Sequence, residues 1–100
     1  MTLSTQQLTT LRQCAEEQCS VIELLQELHT AGSTLSDTRA LLVAELKALA
    51  SKQQMTFFLD DFAAASTRSI NAADAILRLE DDATWDMHSL TQLHVSWYEP

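Results

Sequence analysis

The apolar positions along the chain recur at helical spacing over most of its length. From Leu8 onward, Leu8, Ala15 and Ile22 repeat every seventh residue, as do Cys14, Val21 and Leu28. A seven-residue repeat is the pattern of a helix packed along another helix. Ser4-Thr5-Gln6-Gln7 precedes it in the S-x-x-Q form of a capping box, so the first helix is expected over about 5–31. Gly32, the only glycine, reads as the left-handed residue that closes this helix. Ser33-Thr34-Leu35 then forms a short turn, and Ser36 or Asp37 caps a second helix over about 37–52. Two long helices with a short connection give an antiparallel helical hairpin.

The stretch from Ser36 to Asp82 contains neither Gly nor Pro. Leu35, Leu42, Leu46 and Leu49 share one helical face, whereas Met55, Phe58, Leu59 and Phe62 start a second stripe that Ser66, Ile70, Ala73, Ile76 and Leu77 continue. On one straight helix the stripes would lie roughly 180° apart. The polar interval from Ser51 to Thr56 is where the helix breaks or kinks, which places a third helix over about 55–79. Phe57 falls among the polar residues of that helix. It is read either as packing against a neighbouring loop or as an exposed anchor for a partner.

The remaining segment, 80–100, is acidic and aromatic. Met87, Leu90, Leu93 or His94, and Trp97 fit a short helix; Leu93, Val95 and Trp97 also alternate as a strand would. The helix is preferred, because no second strand is apparent for pairing. One Gly and one terminal Pro leave little material for tight hairpins, and the β-branched residues do not cluster. The expected fold is therefore all-α: a small single-domain helical bundle built on the antiparallel hairpin, with a short C-terminal helix.

Charge narrows the functions. Fourteen acidic against six basic residues give a formal net charge of −8. Direct nucleic-acid binding requires a basic face, so it is not expected. A protein partner with a basic or mixed surface is expected instead. A chain this short gains from covering its apolar stripes, which points to a homodimer or a hetero-complex. No run of apolar residues approaches membrane-spanning length and the N-terminus lacks a signal-peptide pattern, so no membrane association and a cytoplasmic setting are expected. Cys14 and Cys19 diverge by about 140° on a helix and cannot bridge each other, which agrees with reduced thiols.

No catalytic residue, cofactor site or metal site emerges. Asp60-Asp61 and Glu80-Asp81-Asp82 are sequence neighbours that diverge on a helix, and His29, His88 and His94 have no His or Cys partner at ligand spacing. In size and class the chain resembles the all-helical chorismate mutases, which hold a dianionic substrate with inward-pointing cations. Here Arg12, Arg39, Lys47, Lys52, Arg68 and Arg78 all lie outside the apolar stripes, so the likeness is one of size and class only.

The tail is the candidate binding element. Trp85, Trp97 and Tyr98 are interleaved with Asp81, Asp82 and Asp86, and no basic residue follows Arg78. Aromatics anchor interfaces and flanking carboxylates steer toward basic surfaces. The alternative is that the tryptophans fold back to close the core. The function expected is that of a small protein-binding factor of bacterial or phage type: an inhibitor, antirepressor, adaptor or small chaperone. A nucleic-acid mimic is the second reading, although the carboxylates are thinly spread for it. A small all-α enzyme is the third.

Overall fold

The computed structural model describes residues 2–97 and shows an α+β fold. Helix α1 (Thr5–Glu16) leads into strand β1 (Cys19–Ser20), then α2 (Val21–Leu28) and α3 (Leu35–Ser51). Strands β2 (Met55–Asp61) and β3 (Ser66–Ile70) follow, then α4 (Ala72–Leu79), a short 3-10 helix (Asp82–Trp85) and β4 (Thr91–Trp97). The strands form one antiparallel sheet in the order β1-β4-β2-β3. The all-α expectation is thereby corrected: the stretch expected as a third helix holds a hairpin and a two-turn helix, and the tail expected as a helix supplies a central strand.

The expected first helix is interrupted. Its start is as read, with the Ser4 hydroxyl accepting from the Gln7 amide and the Gln7 side chain accepting from the Ser4 amide. After Glu16 the backbone opens to an extended conformation at Glu17, and Cys19 and Ser20 pair with Val95 and His94. Ser20 then restarts the chain as α2 by accepting from the Glu23 amide. The seven-residue repeat therefore spans two helices and a strand. Of its members, Ala15, Val21 and Leu28 enter the core, and Leu8 and Cys14 pack against it. Gly32 does not take the left-handed conformation, and Thr34, rather than Ser36 or Asp37, caps α3.

Helix α3 ends where the polar interval suggested. Gln53 has φ 56°, its amide donates to the Ala50 carbonyl, and the Gln54 amide reaches back to Leu49. This is a Schellman closure with Gln where Gly is usual. From Met55 the side chains alternate. Met55, Phe57 and Leu59 turn inward and are buried, as are Leu93 and Val95 opposite them. Thr56, Phe58 and Asp60 take the other face with Gln92, His94 and Ser96. The helices supply Leu42, Leu46, Leu49, Ala75 and Leu79 to the inner face, so the core is one layer of helices on one sheet.

The β2–β3 turn replaces glycine too. Ala65 sits at φ 51°, a conformation that costs a non-glycine residue about 1 kcal/mol. The Asp61 carboxylate holds the turn by accepting from the amides of Ala63 and Ala64, at 3.1 and 3.2 Å.

Candidate protein-binding surface

The tail residues singled out in the sequence close the fold. The indole N–H of Trp97 donates to the Arg12 carbonyl at 3.0 Å, and that of Trp85 donates to the Leu79 carbonyl at 3.0 Å. Both rings are half-buried against the core. Phe57 is only 1% exposed and belongs to the core outright. Tyr98 lies outside the described residues. Asp81 caps the 3-10 helix through the Ala83 amide, and Asp86 accepts from the His88 amide. Asp82 pairs with Arg39 at 2.7 Å, Glu80 pairs with Lys47, and the Arg39 guanidinium lies 5.3 Å from the Trp85 ring centroid. The Asp82 side chain is 94% exposed, so that ion pair contributes little stability. Its consequence is electrostatic, because the two cations of α3 are each matched by a carboxylate.

That matching bears on nucleic acid. Helices α2 and α3 are consecutive and joined by a short turn. Where such a unit reads DNA, exposed polar and basic groups of the second helix meet bases and phosphates. Here Arg39 and Lys47 face carboxylates, and the exposed positions between them are Ala40 and Ala44.

Apolar exposure is concentrated elsewhere. Among the described residues the exposed large hydrophobics are Leu35, Phe62, Leu77, Met87 and Leu90. Phe62 and Leu90 are neighbours across the sheet end, joined by the Phe62 amide and the Leu90 carbonyl at 2.8 Å, and are 52% and 63% exposed. Met87, 56% exposed, stands in the loop that delivers Leu90. Ala63, Ala64 and Ala65 complete an apolar turn beside them, and Asp61 and Asp86 immediately precede Phe62 and Met87. Sequence reasoning placed Phe62 on a buried helical stripe. The signal that could have exposed it is Asp60-Asp61 just before an all-apolar Phe-Ala-Ala-Ala run.

No catalytic arrangement stands out on the sheet. The Thr67 hydroxyl donates to Asp60 at 3.2 Å, and His94 Nε2 lies 3.6 Å from the other Asp60 oxygen. No hydrogen bond joins Thr67 to His94, so the trio lacks the nucleophile-to-base contact that would activate a hydroxyl. Among the described residues no group of three or more His, Cys, Asp or Glu is placed to hold a metal ion, and no helix is long and apolar enough to cross a membrane.

Both cysteines are free. Burial, reinforced by Cys14 and Glu23, pushes the Cys19 thiol up to about 12, from an ordinary value of 9.0. Burial and then Glu27 and Glu23 raise Cys14 as well. Thiolates are the reactive form, so neither thiol is set up as a nucleophile. A raised folded-state value favours the fold below the unfolded thiol's titration and is lost as pH climbs through the folded one. Stability is therefore expected to fall between pH 9 and about 12 in part through Cys19. Urea titrations at pH 8 and pH 11 should show a smaller pH-dependent loss for Cys19→Ala than for the parent chain; equal losses would show that the thiol plays no part.

Comparison with protein families, with curated proteins and with solved structures finds no match to this chain.

Proposed function

We propose that the chain is a small protein-binding factor, acting as an inhibitor, adaptor, antirepressor or small chaperone in a cytoplasmic setting. It engages its partner with the sheet end built from Phe62, Met87 and Leu90. The observation that carries the reading is that three of the five exposed large apolar side chains of the described residues stand at the end of β2 and on the loop leading into β4, where the Phe62 amide bonds the Leu90 carbonyl. Exposed apolar groups clustered on a small domain mark interaction sites, and aromatic and Met side chains are enriched in interface cores. The turn is also pre-organised: Asp61 clamps it and Ala65 holds a strained conformation, so little ordering remains to be done on binding. Asp61 and Asp86 beside the apolar groups, in a chain of charge −8, favour a partner whose apolar cleft has a basic or mixed rim.

Direct nucleic-acid binding is disfavoured by the same charge and by the matched cations of α3, and the nucleic-acid mimic by the thin spread of the carboxylates along the chain. The experiment is site-specific photo-crosslinking in the native cell, with the photoreactive residue at position 62 and, as control, at the exposed Glu27 on α2. A discrete adduct from position 62 alone is expected, and its mass distinguishes a second copy of the chain from another protein. Equal labelling from both positions, or none from position 62, would remove the proposal.

A further inference from the structure

We propose that the pocket between β3 and the last turn of α4 is a binding site for a phosphate monoester group. The pocket has a volume of about 280 Å³ and is lined by Leu59, Asp61, Ser66, Arg68, Arg78 and Thr91. It forms because the register places Arg68 opposite Leu59, and Ser66 and Thr91 on either side of Asp61, all on the inner face of the sheet at its open end. Arg78 enters from α4.

Two of the chain's six cations therefore line one pocket in a protein of net charge −8. Like charges brought together repel unless an anion lies between them. The carboxylates nearby fill that role for Arg78 alone, whose Nε forms an ion pair with Asp74. Asp61 commits one oxygen to the Ala63 and Ala64 amides and forms no ion pair with either arginine. Among the described residues Arg68 has no ion-pair partner. Arg78 Nε is shut off from solvent without a hydrogen bond, and Asp74 Oδ1 stands 3.3 Å from it. That contact orients the guanidinium and leaves its terminal nitrogens available. The Ser66 and Thr91 hydroxyls add two further donors at the same pocket.

Two planar guanidinium forks and two hydroxyls supply more donors than a carboxylate can accept, and they suit the several oxygens of a phosphate. The pocket is larger than a phosphate ion, so it leaves room for the group that the ester carries. The pocket shares Asp61 with the turn behind Phe62, but neither Phe62, Met87 nor Leu90 lines it, so either proposal can fail without the other.

The test is titration of the ¹⁵N-labelled full chain with inorganic phosphate at constant ionic strength, following the Arg68 and Arg78 Nε–H signals and the Ser66 and Thr91 amides. Saturable shifts confined to these groups are expected, weakened at least tenfold in Arg68→Gln and unchanged in Arg12→Gln. Arg68 stands on an exposed edge strand, so its substitution spares the fold; if Arg78→Gln melts early, Arg68→Gln alone decides. Parallel titrations with glycerol 3-phosphate and with a phosphoserine peptide identify the source of the group, a small ester or a partner's side chain, by which binds tighter. Shifts that never saturate, that chloride reproduces, or that acetate matches at equal concentration would overturn the assignment.

Discussion

Phe57→Ala is expected to cost about 3 to 5 kcal/mol of stability and Phe58→Ala much less, although the two residues are adjacent and chemically identical. Phe57 is 1% exposed and lies between Ile70 and Val95 on the inner face of the sheet. Its truncation empties a cavity in a core that a chain of 100 residues has little means of replacing. For a domain of this size each kcal/mol moves the melting temperature by roughly 4 to 8 °C, so the Phe57 variant should melt more than about 12 °C early. Phe58 points to the opposite face and is only half-buried, so its loss removes contact area without opening a core cavity. Phe57→Leu, which keeps most of the volume, should cost under about 1.5 kcal/mol. The helical pattern over 55–79 demands the reverse order, because there Phe58 shares the apolar stripe with Phe62 while Phe57 faces solvent. Urea titrations of the three variants decide between the patterns. A Phe58→Ala variant less stable than Phe57→Ala would restore the helix and remove the sheet.

The misreading of this segment has identifiable physical causes. In Met55-Thr56-Phe57-Phe58-Leu59 the alternation is hidden by Phe58, an apolar residue on the outer face, and once Phe58 is counted as inward the spacing becomes helical. Scarce glycine argues against tight turns, yet among the described residues Gln53 and Ala65 take left-handed positions. Each is supported by its surroundings: Gln53 by backbone bonds to the end of α3, and Ala65 by the Asp61 carboxylate bonded across the turn. β4 was legible as a strand from Leu93, Val95 and Trp97, but its partners, β1 and β2, were not. β1 is two residues long, and β2 carried the masked pattern. What local chemistry alone decides was readable: the Ser4–Gln7 box, most of α3, and its end in the polar interval before Met55. The tail aromatics were rightly prominent in the sequence, but prominence does not separate an anchor from a closing residue. Only the tertiary arrangement shows the two indole N–H groups bonded to the Leu79 and Arg12 carbonyls.

Binding is expected to be lost, with the fold intact, when the sheet end is made polar. Phe62 and Leu90 are 52% and 63% exposed, so Phe62→Ser together with Leu90→Ser should shift the melting temperature little. The backbone bond between them uses the Phe62 amide and the Leu90 carbonyl and survives both changes. In an interface a central aromatic commonly accounts for about 2 kcal/mol, roughly 30-fold in affinity, and the paired substitution should exceed that. Asp86→Asn keeps an acceptor for the His88 amide while removing the charge, so it should leave the complex formed but slow its association and flatten its response to salt. The helix-borne residues provide the contrast. Arg39→Gln releases Asp82 and adds a further unit of net negative charge, yet it touches neither Phe62 nor Leu90, so under this reading it should alter affinity only weakly. The measurement is the yield of the position-87 photo-crosslink in each background, beside a thermal melt. If the doubly substituted sheet end crosslinks at the parent yield while Arg39→Gln abolishes the adduct, the partner sits on α3 and the assignment to Phe62, Met87 and Leu90 fails.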